Sequence, residues 1–444
     1  MKAIFITPEE STCGFEPIVQ LRSREMIETL KQMGVEVIPI NVHEFGQLMR
    51  RNSNEIPKLG SSFIIAPNFN YFLRAAADNI KIIDSLNTQI VALWDDPLGA
   101  LASLSNGQPR WLVRFLNRIT GADPPKSVAK LMGRITERLD NKLINFRTVL
   151  EHPLMRHFSW DSGHIEAVRS LKLVTNDRVR WYPIATYAPF LKMGRRQKEI
   201  KKTRDVGFCG NLYLGPVRRS DFFKDEFLRG LTERICNQKL QSLNKPLWTL
   251  MMEEIGKLPD AVCAAYGLCP TRKPFWDYYV FVVWYAGNTL VRLGILDKVE
   301  REVSLYGLFA DAESKNALTA HPNLKYEGMA HHFDDLPWVF ASTKINICIS
   351  NGLVYNGLPS KLIDCLASGG FALCDPKEDL LRFFGPTVEQ IFFRNVEELN
   401  SKIEYYLARP HDRDNLVAEL CAKIHQHCTL DGLFRQVIDC IKPQ

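Results

Sequence analysis

No two cysteines in this 444-residue chain form a C-x-x-C pair, and none stands with histidine at zinc-site spacing. Zinc ribbons and thioredoxin-like redox motifs are excluded. The eleven cysteines, an odd number, read as reduced thiols rather than a disulfide framework. Long apolar runs are also missing. The opening MKAIFITPEESTCG meets acids after a handful of apolar residues, so it reads as a first strand and not a secretion signal. The longest aromatic-apolar run, YYVFVVWYAG at 278–287, has about half the length of a membrane span, and no segment is expected to cross a bilayer. A net charge of +6 over the whole chain is too small for a nucleic-acid footprint, and no nucleic-acid partner is expected.

Several catalytic signatures are absent too. There is no G-x-G-x-x-G, H-E-x-x-H or G-x-S-x-G, and GLVYNGLPSK has Walker-like glycine spacing but Leu358 where a lysine must follow. The pair His331-His332 lacks metal-ligand company, so core or loop roles are expected for it, and no metal site.

What is present is strand and helix in alternation. KAIFIT, VEVIPI, SFIIAP and QIVALW read as strands, with helices at Ile18 to Met33 and Phe72 to Leu86 between them. That order implies right-handed crossovers and a parallel, doubly wound sheet. LMRHFSWD, a helix around Gly163 to Leu173 and VRWYPIAT complete a first α/β domain over 1–190. A helical, basic insertion at about 97–150 interrupts it. There Lys126, Lys130, Arg134, Arg138 and Lys142 recur every four residues beside Leu131, Ile135 and Leu139, like an amphipathic surface helix.

The polar stretch GRRQKEIKKTRD, 194–205, marks an interdomain linker, read at 191–204. A second α/β domain follows over 205–410, with strands at VGFCG, EVSLYGLF, NLKYEG, INICIS, FALCDP and IFFRN. Residues 221–298 exceed a normal crossover and read as a helical insertion. Helices at roughly 396–408 and 412–440 end the chain, those from 411 to 444 packing back on the first domain. The fold class is α/β, two parallel-sheet domains facing across a cleft.

Such folds bind ligands at the carboxyl ends of their strands. In LPSKLIDCLASGG, Pro359 suits a first helical turn, Leu362, Ile363 and Leu366 give a buried stripe, and Gly369-Gly370 ends the helix. Its N-terminus follows the loop NGLVYNGLP, which contains Tyr355 and Asn356. Backbone N–H groups around Pro359 to Leu362, including Ser360, with Lys361 nearby, favour a diphosphate. Asp364, one turn on, can accept from a ribose diol; the plain alternative is a solvated acid beside a surface lysine. VGFCGN then GPVRR repeats the logic: Gly210 allows close approach, Asn211 follows, and Arg218 and Arg219 offer forked donors for phosphate or cap a surface turn. In the first domain QIVALW ends in Asp95-Asp96-Pro97, where paired acids can furnish a general base or an N-cap. Gly14 allows close backbone approach after the first strand.

These residues resemble the GT-B glycosyltransferases, and among them the CgeB-like group related to spore-maturation proteins. The pattern runs through GLPSKLIDCLASGGFALCD, DLLRFFG and VEELNSKIEYYLARPHDRDNL, almost continuously over 303–440, with VGFCGNLY and ALWDDP as earlier landmarks. The resemblance implies two Rossmann-like domains, a nucleotide-sugar donor held mainly by the second and an acceptor held by the first. It places Asp364 on the donor ribose and Lys361 and Arg218 near the diphosphate. The loop from Tyr326 to His332, with Glu327 and Gly328, borders the base. Where the family more often has glutamate this chain has Asp364, where arginine is common it has Lys361, and Asn356 stands where retaining relatives carry a glutamate.

The expected reaction is sugar transfer to a hydroxyl of a glycan or lipid-linked saccharide, with no cofactor beyond the nucleotide-sugar and no metal. Asp95 or Asp96 is the candidate base if the reaction inverts. Competing readings are a non-catalytic GT-B module that binds a glycan or partner, and a nucleotide-sugar epimerase. The basic stripe at 126–142 and the aromatic run are either packing and solvated faces or a peripheral contact with anionic membrane, on the cytoplasmic side.

Overall fold

The computed structural model describes residues 1–7, 18–51, 62–67, 83, 88–94, 147–174, 179–307, 316, 318 and 320–441. KAIFIT is apolar on both faces, as a strand covered by helices on both sides must be, and it forms β1 (Lys2–Thr7) inside the first sheet. With β2 (Glu36–Asn41), β3 (Phe63–Ala66), β4 (Gln89–Trp94), β5 (Met155–Ser159) and β6 (Val179–Trp181) it makes a six-stranded sheet of order β2-β1-β3-β4-β5-β6. Every pairing is parallel.

The second sheet comprises β7 (Arg204–Cys209), β8 (Val303–Tyr306), β9 (Leu324–Gly328), β10 (Thr343–Cys348) and β11 (Ala372–Cys374), in the order β11-β10-β7-β8-β9. It too is wholly parallel. Strand order reverses direction between β7 and β10, which opens a crevice beyond their carboxyl ends.

Helices occupy most of the stretch from Leu214 to Leu296 between β7 and β8. The aromatic run lies in the helix Lys273–Leu296, which has the length and composition of a membrane span, yet 72% of its apolar window is buried within the protein. Tyr278 and Tyr279 are fully buried, and Trp276 stacks on Trp248 with ring centroids 6.2 Å apart. Packing, not a surface, explains this run. All ten described cysteines are free thiols.

Three sequence expectations differ from the structure, and one further helix has no counterpart among them. IFFRN is not a sheet strand: a 3-10 turn, Pro386–Ile391, uses its first residue, and only a single bridge joins Phe392 to Cys374. The last helix divides into Pro410–His427 and Leu430–Ile441, because the chain turns at Cys428 so that Cys428 O accepts from Thr186 N at 2.8 Å. The final helix thereby packs against Ile18–Gln32 of the first domain. The stretch read as a linker includes the end of a helix, Ala188–Arg195, and a 3-10 turn, Gln197–Glu199. That helix lies so close to Ser360–Ala367 that a Cβ on Gly194 would sit 2.0 Å from Ala367 O. A helix at Val42–Arg51 was not anticipated. Its signal was legible, since Asn41 accepts from Glu44 N at 2.8 Å while Glu44 returns to Asn41 N, a capping box. The helix expected at Phe72 to Leu86, except for residue 83, and the basic stripe at 126–142 lie outside the described residues.

Carboxylates exchanged between the two domains fasten them. Asp161, fully buried, caps its own helix through Gly163 N at 2.8 Å and accepts from Tyr355 N at 2.7 Å and Asn356 N at 3.0 Å of the second domain. Asp379 returns the favour from the other side, accepting from Ser162 N at 2.8 Å and Trp181 Nε1 at 3.0 Å. Gly163 and Gly357 permit the approach: a Cβ on Gly163 would stand 2.5 Å from Tyr355 Cβ, and one on Gly357 2.7 Å from Asp161 Cβ.

Candidate functional site

A cavity of about 370 Å³ opens beyond β7, β8 and β10. Gly210 and Asn211 line it from the end of β7, Tyr306 and Gly307 from β8, and residues 329–332 from the loop after β9. The helix Ser360–Ala367 contributes Ser360, Lys361 and Asp364, and the first domain closes the cavity with Leu21 and Arg22. Helix N-termini present unsatisfied N–H groups and a partial positive charge. Ser360, the first residue of this helix, borders the cavity.

Lys361 donates to Cys209 O at 2.7 Å and lies 5.9 Å from the Phe208 ring centre. Burial first, then the neighbouring Arg292, lower its pKa to about 8. Asp364 is 3% exposed and accepts from Thr186 Oγ1 of the first domain at 2.6 Å. Burial pushes its carboxyl up to about 6, opposed by Arg22, the Thr186 hydroxyl and Lys361. His332 packs edge-on to Phe190 at 5.3 Å. Burial first, then Arg22, Lys361 and His331, hold its pKa down at about 3, so it is a neutral imidazole at ordinary pH. Among the described lining residues Arg22 and Lys361 are cationic and Asp364 is the one acid.

The structure thus brings together five of the sequence candidates: Gly210, Asn211, Ser360, Lys361 and Asp364. Pro359 is buried directly before them as the helix N-cap residue. Others are elsewhere. Arg218 and Arg219 sit exposed in the last turn of the short helix Leu214–Arg219 and do not line the cavity. Glu327 is an exposed residue of β9, paired with Lys325 at 3.1 Å. Gly328 takes φ +110 at the end of that strand, and neither lines the cavity. Tyr355 and Asn356 belong to the domain fastening, and the Tyr355 hydroxyl bonds that of Tyr279 at 2.9 Å. Gly14, Asp95 and Asp96 lie outside the described residues.

Sequence reasoning missed Arg22 and Thr186, since a helix face and a segment after β6 carry no local ligand signature. It also missed Arg292, which is 4% exposed and donates to Asn211 O at 3.2 Å. Among the described residues no three His, Cys, Asp or Glu side chains gather as a metal cluster.

Residues 294–439 match the family described as glycosyl transferase-like. No curated protein sequence matches the chain. Among solved structures, the T4 phage β-glucosyltransferase in complex with its UDP-glucose substrate is similar over 100% of both chains, with 11% identity and a TM-score of 0.50. HepE of Anabaena in complex with UDP is similar over 99% of each chain, with 9% identity and a TM-score of 0.49. At such identity the phage enzyme speaks for the fold alone: two parallel-sheet α/β domains of the GT-B type. With the family match in the second domain, the class is a glycosyltransferase. The matched segment contains β8 to β11 and the helix that carries Lys361 and Asp364.

Proposed function

We propose that this protein transfers a sugar from a nucleotide-sugar donor to a hydroxyl of a glycan or lipid-linked saccharide, without a metal. The observation that carries the reading is the cavity at the reversal of the second sheet, where Lys361 and a helix N-terminus converge and Asp364 faces the first domain. Transfer builds negative charge on the departing diphosphate. A helix N-terminus and a buried ammonium stabilise that charge most when the cavity excludes water. Asp364 accepts from the donor ribose. The acceptor enters from the first domain, where Asp95 or Asp96, following β4, takes the acceptor proton if the reaction inverts.

The same reading includes kinship with the CgeB-like group, a cytoplasmic location, and contact of the basic segment 126–142 with anionic lipid. The phage enzyme of this fold is named for a UDP-glucose substrate, so UDP-sugars are the first donors to try. Calorimetry with UDP-, GDP-, TDP- and CMP-linked sugars, on wild type and Asp364→Ala, tests it. One nucleotide class should bind, and the variant should lose most of that affinity. A folded wild type that binds none of them favours a non-catalytic module instead.

A further inference from the structure

The helix Lys273–Leu296, which closes the insertion, changes its winding midway: Phe281–Val291 is a π-helix between two α-helical ends. Such wide turns are rare, mostly single bulges, and frequent at functional sites. Three buried side chains in and just after this one, Asn288, Thr289 and Arg292, reach the loops beyond β7 and β10. Thr289 Oγ1 accepts from Tyr213 N at 3.0 Å, and Arg292 Nη1 donates to Asn211 O at 3.2 Å, both in the loop after β7. Arg292 Nη2 reaches Ile349 O at 3.5 Å, and Asn288 Oδ1 accepts from Gly352 N at 2.9 Å, both after β10. Asn288 Nδ2 donates to Trp284 O at 2.8 Å, tying the side chain back to its own helix. The contact is backbone-tight: a Cβ on Gly352 would lie 2.3 Å from Val283 O.

Arg292 is also a buried cation held, among the described residues, by carbonyl oxygens rather than by a carboxylate, and its Nε finds no hydrogen-bond partner among them. Asp375, an acid in its field, is instead engaged by Ser350 N at 2.7 Å and Lys377 at 3.1 Å. Arg292 and Lys361 lie 5.8 Å and 5.9 Å from the centre of one ring, Phe208. Two neighbouring buried cations without a bonded acid are costly unless an anion joins them.

We propose that the insertion helix is the positioning element of the donor site: Asn288, Thr289 and Arg292 set the loop after β7, which lines the cavity, and the loop after β10, which leads to the helix Ser360–Ala367, and Arg292 backs Lys361 with a second positive charge. This rests on the donor-site reading and extends it to a helix that the loops alone do not point to. Arg292 acts through Asn211 and the loop after β10, as a positioning residue.

The test is calorimetry of wild type, Arg292→Met and Arg292→Lys at fixed ionic strength, with inorganic pyrophosphate, UDP and uridine. Arg292→Met should weaken pyrophosphate and UDP about 30-fold while uridine stays within about two-fold. Arg292→Lys keeps the charge but not the fork, and should weaken pyrophosphate about five-fold, which keeps the test open if the methionine variant does not fold. Equal losses for UDP and uridine, or no loss in either variant, overturn the proposal. Pyrophosphate binding by wild type without any nucleotide binding sinks the donor reading and leaves the anion-positioning role standing. UDP binding that Arg292→Met leaves untouched does the reverse. No binding of either probe by wild type contradicts both.

Discussion

At the fastening between the domains, Asp161 takes three backbone N–H groups and Asp379 takes one backbone and one indole donor. In the cavity the arrangement is reversed: Arg22 and Lys361 border a space in which Asp364 is the one carboxylate among the described lining residues. The first region spends its polar groups on each other and holds two domains in register. The second holds the Lys361 ammonium on a backbone carbonyl, with no carboxylate bonded to it among the described residues, which suits a site for an anion. The difference separates residues whose loss should unfold the protein from residues whose loss should only empty it.

Removing Asp161 should therefore do most damage to stability. Asp161→Ala leaves three N–H groups without their acceptor, at roughly 1–3 kcal/mol each, so a loss of about 4 kcal/mol is expected in denaturant unfolding. A loss below about 1 kcal/mol would mean that the fastening is not rigid.

Lys361→Met should show the opposite profile, with donor affinity reduced about 100-fold and thermal stability unchanged or raised, because a desolvated cation is removed. Stability falling with affinity would erase the contrast between the two regions.

The acid–base behaviour sharpens it further. Burial depresses the Lys361 pKa to about 8, so the free protein carries the ammonium below that pH and loses it above. Affinity for a nucleoside diphosphate should be flat from pH 6.5 to about 7.5 and fall above about 8, and Lys361→Arg should remove the fall. A decline that persists in that variant would point to a different group.

The smallest expected effect belongs to Arg22→Ala. Its charge reaches Asp364 and His332 from the first domain, so donor KM should rise about 5-fold with little change in stability. An unchanged KM would place Arg22 outside the donor's reach.

The contrast also marks how far the sequence could be read. Both parallel sheets announced themselves through apolar runs alternating with helices, and the helix Val396–Ala408 falls where its periodicity puts it. Lys361 and Asp364 were legible because a loop, a proline and a helix N-terminus follow a strand within one continuous stretch. Arg218 and Arg219 misled for the same reason: the local pattern says that arginines follow a strand, but only the packing of Leu214 and Val217 decides that they face outward. Asp161 and Arg292 act on loops far away in sequence, at Tyr355 and Asn211, and nothing local records such partners. IFFRN has the composition of a strand, yet the turn before it leaves room for one bridge.

The measurement that tests the account most directly is release of nucleoside diphosphate from the same panel of nucleotide-sugars, with wild type and Asp364→Ala side by side. Slow release from one nucleotide class by wild type, accelerated by an acceptor saccharide and lost in the variant, is the predicted result. Release at equal rates from both proteins, or none from any donor in a folded wild type, would contradict a donor site in this cavity.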